Sequence, residues 1–154
     1  MARSGRWKFG RQRSGKASIS QGKEGKMAKI LLVDNDPGFV NSARRVLENK
    51  GYEVMTAASG ERALAVMRKE KPALVLLEIM MSYVLEGLDL LREMANDPTL
   101  KDIPVIVVTS LKGTKVKAAQ PSEIYAAVDE WLQKPVSPDQ LLERVEEMLK
   151  VKAA

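Results

Sequence analysis

Short unbroken apolar runs alternate with amphipathic stretches along this chain, and the runs read as buried strands. The most informative covers residues 73–81, ALVLLEIMM, where five apolar residues run into a single acid, Glu78. Lys71-Pro72 stops the preceding element and the run is too short for a helix, so a strand buried on both faces is predicted, as in a parallel sheet. Similar runs at residues 30–33, 52–57, 104–108 and 130–133 supply four more strands. Between them the pattern switches to a helical period. Asp36 as N-cap and Pro37 as first residue open a helix with Phe39, Ala43, Val46 and Leu47 on one face, closed by Gly51. Ser59 caps a second helix to about Glu70; a third carries Leu88, Leu91 and Met94 and stops at Asn96-Asp97-Pro98. Residues 111–128 are interrupted by Lys112-Gly113 and Gln120-Pro121, and 122–128 read as helical. Ser137, Pro138 and Gln140 form a capping box, so the last helix starts at Pro138 and presents Leu141, Leu142, Val145, Met148 and Leu149.

Five strands alternating with five helices predict an α/β fold, a doubly wound (βα)5 parallel sheet with right-handed crossovers and the flavodoxin-like order 2-1-3-4-5. In that order four strand ends meet at the C-terminal edge of the sheet. They carry Asp34 (followed by Asn35 and Asp36), Glu78, Thr109 and Lys134. Taken alone, Glu78 reads as a loop charge where the chain leaves the core. Together, carboxylates suit a hard cation such as Mg²⁺, while Lys and Thr suit phosphate oxygens. No Walker loop or G-x-G-x-x-G turn is present, which disfavours nucleotide binding.

The chain has 154 residues, room for one domain, with no cysteine and no histidine. That excludes disulfides, thiol chemistry, the usual zinc sites and histidine acid–base catalysis. The net charge of +5 is unevenly spread. Residues 1–29 hold nine bases against one acid, a net +8, and the remainder is mildly acidic at −3. Residues 1–27 are read as a basic, disordered N-terminal extension and 28–152 as the folded domain. The extension offers little to bury; Met27 is a candidate start, and Arg6-Trp7-Lys8-Phe9 is the one stretch suited to nucleic acid or an anionic membrane surface. No apolar run is long enough to span a bilayer, and a cytoplasmic location is expected.

KILLVDND, LVLLEIMM, VIVVTS and WLQKPV, in this order and spacing, resemble the receiver domain of bacterial response regulators over residues 29–150. The resemblance implies that position 78 is the phosphoacceptor and that Asp34 and Asn35 occupy the acidic pair that binds Mg²⁺, with Asp36 as a further candidate ligand. It also implies that Thr109 and Lys134 contact the phosphoryl group, that Trp131 is the switch aromatic and that the Lys134-Pro135 bond is cis. Two departures bear on the chemistry: Glu78 replaces the acceptor Asp, and Asn35 replaces a metal-binding Asp. The following loop, Met81-Ser82-Tyr83-Val84-Leu85-Glu86-Gly87, is one residue longer than usual, which leaves open whether Glu78 reaches Lys134. The expectation is therefore a stand-alone signalling module, not an enzyme, working in a phosphorelay as a phosphorylation-independent pseudo-receiver with weak or absent Mg²⁺ binding. Its expected partner is a protein, a sensor histidine kinase or downstream target, met by the fourth helix, fifth strand and fifth helix; homodimerisation stays open. The competing readings are a conventional receiver, phosphorylated by a histidine kinase with Mg²⁺, and a small phosphate-handling enzyme.

Overall fold

The computed structural model describes residues 28–83, 86–111 and 128–153. The strands are β1 (Lys29–Val33), β2 (Glu53–Ala57), β3 (Leu74–Leu77), β4 (Val105–Thr109) and β5 (Glu130–Gln133). The described helices are α1 (Pro37–Asn49), α2 (Gly60–Glu70), α3 (Glu86–Ala95) and α4 (Pro138–Ala153). All described strand pairs are parallel, in the order β2-β1-β3-β4-β5. The predicted doubly wound sheet is thus present, with β3 in its centre and every residue of β3 buried.

Strand alternation divides the core in two. Leu31, Val33, Val75, Leu77, Val105 and Val107 face α2 and α3, where Ala63, Met67, Leu88, Leu91 and Met94 cover them. Ile30, Leu32, Leu74, Leu76, Ile106 and Val108 face the other way, against Ala43 and Leu47 of α1 and Leu141 and Val145 of α4. Both faces of the sheet are covered, which is why the inner strands β1, β3 and β4 show no polar alternation.

The local signals act as read. Asp36 accepts from Gly38 N (3.0 Å) with Pro37 behind it, Ser59 Oγ accepts from Arg62 N (3.2 Å), and Ser137 Oγ accepts from Gln140 N (3.1 Å). Gly51 sits at φ 98°, a conformation that glycine takes without steric cost. One element differs from expectation. Val128, placed in the fourth helix by its apolar pattern, is a buried loop residue leading into β5; Asp129 N donates to Val105 O (2.9 Å) and begins the β4 pairing there. The rest of that predicted helix, like residues 1–27, lies outside the described residues.

Candidate functional site

The sheet itself assembles the site. Glu78 N donates to Val33 O (2.9 Å), carrying the β1–β3 ladder one residue further, and Lys134 N donates to Thr109 O (2.8 Å), doing the same for β4 and β5. Asp34 N is held by Ala57 O (3.0 Å). Asp34, Glu78, Thr109 and Lys134 therefore converge on one cup at the C-terminal edge, as their strand-end positions predicted. The Lys134-Pro135 bond is cis.

Inside the cup, Asp34, Glu78 and Thr109 are buried, and the Lys134 side chain is 16 % exposed. Four donors point at the Glu78 carboxylate. Oε2 accepts from the Thr109 hydroxyl and from Met80 N (3.1 Å). Oε1 accepts from Ser110 N (3.3 Å) and faces Lys134 Nζ at 3.3 Å. The Thr109 hydroxyl accepts from Leu111 N (3.0 Å), which turns its proton toward Glu78. Lys134 Nζ also donates to Asp34 Oδ2 (2.8 Å), and Asp34 Oδ1 accepts from Asp36 N (2.9 Å). The Phe39 ring, brought round by the first turn of α1, lies with its centroid 4.2 Å from Lys134 Nζ.

Two buried carboxylates share one ammonium, so the cup is one negative charge in excess. Burial holds the Asp34 carboxyl above its ordinary range, more than the Lys134 hydrogen bond, the Asp36 amide and the Lys134 charge pull it down. Burial also works against the charged form of Lys134, but the hydrogen bonds and charges of Asp34 and Glu78 together outweigh it and raise its pKa.

The loop after β3 leaves Glu78 facing Lys134. Gly87 N donates to Ile79 O (2.8 Å), and a Cβ at position 87 would stand 2.6 Å from Glu78 O and from Ile79 Cα, so only glycine allows this approach. The buried carboxylate of Glu86 accepts from Ser82 N (2.9 Å) and Gly60 N (2.7 Å), tying the loop to the start of α2. Residues 84 and 85 lie outside the described residues. Trp131 pairs with Val107 in the ladder and packs, half-buried, on the α2–α3 side of the core.

Sequence reasoning reached Asp34, Glu78, Thr109 and Lys134 and missed four contributors. The amides of Met80 and Ser110 carry no signature in the sequence, because any residue but proline brings one. In the sequence Phe39 is one apolar position on a helix face, and Glu86 one acid in the loop after β3.

A divalent-cation site does not fit these side chains as they stand. Asn35 and Asp36 are exposed; Asp36 is engaged as the α1 cap, and both Asp34 oxygens have donors. Among the described residues, no three Asp or Glu side chains gather where they could hold a metal ion.

Comparison with known proteins agrees with this geometry. The response regulator receiver domain family matches residues 30–146. The chain is 39 % identical over 131 residues to "Probable transcriptional regulator ycf27" of Pyropia yezoensis, covering 82 % of this chain and 49 % of that protein. It thus spans about half the length of the ycf27 relatives. It is 32 % identical to Protein PilH of Pseudomonas aeruginosa, covering 80 % of this chain and 98 % of PilH. Among solved structures, a CheY-like response regulator receiver domain protein from Methanospirillum hungatei JF-1 superposes with a TM-score of 0.70 at 30 % identity, over 81 % of this chain and 95 % of that one. Receiver domains are signalling modules that generally bind Mg²⁺ and meet kinases and targets. No described helix is long and apolar enough to cross a membrane. The parallel sheet, the acids and lysine it gathers at one edge, and a family match running from β1 into α4 lead to one assignment: this chain belongs to the response regulator receiver domains of two-component signalling.

Proposed function

We propose that this receiver signals without being phosphorylated, with the Glu78 carboxylate standing in for a phosphoryl group at its own acceptor position. One observation supports the reading above the others: the two amides, the hydroxyl and the ammonium that converge at the sheet edge are all engaged by Glu78. An anion bound to that cradle would have to displace the carboxylate first. A carboxylate carries about half the charge of a phosphoryl group, so the state it favours is held only in part. Mg²⁺ binding is weak or absent on this reading, since Asn35 supplies no charge and Asp34 is paired with Lys134. The output is protein binding, through a face that includes β5 and α4. The conventional alternative, phosphorylation on Glu78 by a histidine kinase with Mg²⁺, keeps one argument in its favour: Thr109 and Lys134 already reach Glu78.

Glu78→Gln tests the proposal without changing the side chain's shape. A glutamine has one oxygen for two backbone donors, so either Met80 N or Ser110 N faces an amide NH₂ and loses its acceptor. The expected result is a displaced amide resonance for Met80 or Ser110 and a shifted Trp131 emission in protein carrying Trp7→Phe. Unchanged amides and unchanged emission would mean that Glu78 holds no signalling state.

A further inference from the structure

Phe39 stands out because nothing in the receiver reading requires an aromatic ring there, and its face is turned to a charge. The Lys134 ammonium has three protons to place. Asp34 Oδ2 at 2.8 Å and Glu78 Oε1 at 3.3 Å take two directions, and the Phe39 ring at 4.2 Å covers another. With its side chain 16 % exposed, the ammonium is largely enclosed by two anions and a π face. An aromatic face attracts an organic cation through the ring quadrupole. It gives nothing to Mg²⁺, which demands oxygen ligands and keeps several of its waters. A ring at this position therefore discriminates between the two kinds of cation that could neutralise the cup.

We propose that Phe39 is a positioning residue: it holds the Lys134 ammonium against Asp34 and Glu78 as the built-in cation of the cup, and so keeps divalent ions from binding. The inference rests on the reading that Glu78 keeps the cup in one state, and adds what prevents Mg²⁺ from disturbing it. Pro37 and the Asp36 cap fix the first turn of α1, and with it the ring. Phe39 itself packs partly into the core beneath α1, so its place does not depend on Lys134.

The test uses the full chain and nuclear magnetic resonance. The Lys134 ε-methylene protons, assigned by their loss in Lys134→Arg, should be displaced upfield by the ring current, and should not move when MgCl₂ is added to millimolar levels. In Phe39→Leu, which keeps apolar bulk under α1, the upfield displacement should vanish and the same MgCl₂ addition should move the Lys134 and Thr109 signals, at concentrations at least about fivefold below any that move them in the native chain. Phe39→Tyr retains the ring face and should behave as native. The inference is overturned if the native ε-methylene shows no ring-current displacement, or if Mg²⁺ binds native protein and Phe39→Leu alike. Should Phe39→Leu not fold, Phe39→Met replaces it under the same two criteria. These spectra fail independently of phosphorylation, which is read by mass.

Discussion

Lys134→Met is expected to destabilise the fold by about 3 kcal/mol at neutral pH, the largest loss from any single change in the cup. The substitution keeps an unbranched apolar stem and removes the one ammonium shared by Asp34 and Glu78. Breaking a buried ion pair by deleting one partner leaves an uncompensated charge, and here it leaves two. The effect belongs at the low end of that class because both carboxylates keep backbone donors, Asp36 N for Asp34 and Met80 N and Ser110 N for Glu78. Thermal unfolding should show a fall in Tm on the order of 10 °C. The loss should also depend on pH with a definite sign. Asp34 already has a raised pKa in the native fold, so the folded state binds its proton more tightly than the unfolded chain. Stability from such a group is complete below the unfolded carboxylate range and is lost as pH rises through the folded value. Without Lys134 the shift widens, so the variant should approach native stability near the unfolded carboxylate range and fall behind as pH rises. A penalty independent of pH would point to lost packing of the lysine stem instead.

Glu78→Asp combined with Asn35→Asp should convert the chain into a substrate for a small phosphodonor such as acetyl phosphate. Shortening the acceptor by one methylene withdraws the carboxylate from the cradle of Met80 N, Ser110 N and the Thr109 hydroxyl, freeing those donors for an incoming phosphoryl group. Asn35→Asp adds the missing negative charge beside Asp34. Because a misplacement of about 1 Å can cost roughly a hundredfold in a positioned reaction, the double variant should phosphorylate roughly a hundred times faster than the native chain. Intact mass followed against time measures this. A double variant as inert as the native protein would show that Glu78 and Asn35 are not what keeps the chain from accepting a phosphoryl group.

The fold was almost fully legible because its signals are local and mutually consistent. Continuous apolar runs give doubly covered strands, and Asp36-Pro37, Ser59 and Ser137-Pro138 mark helix starts whose caps are all present. Val128 was misplaced because an apolar residue at the end of a weak pattern looks the same in a helix as in the buried approach to a strand. At the site, strand order alone was enough to bring Asp34, Glu78, Thr109 and Lys134 together. The cradle around Glu78 was not legible, since half of its donors are backbone amides whose direction is set by loop geometry. The cation–π contact escaped for a related reason: helical period assigns Phe39 to a face, and only the three-dimensional turn of α1 shows that the face overlooks Lys134. The anchoring of the long loop by Glu86 and Gly87 likewise depends on which backbone groups lie nearby, not on the spacing of letters.

The central claim is that Glu78 already fills the position a phosphoryl group would take. The most direct measurement is the intact mass of the native chain after incubation with excess acetyl phosphate and MgCl₂. The expected mass is unchanged from the untreated protein, under conditions in which the Glu78→Asp, Asn35→Asp variant gains one phosphoryl group. Gain of one phosphoryl group by the native chain, traced by fragmentation to Glu78, would contradict it.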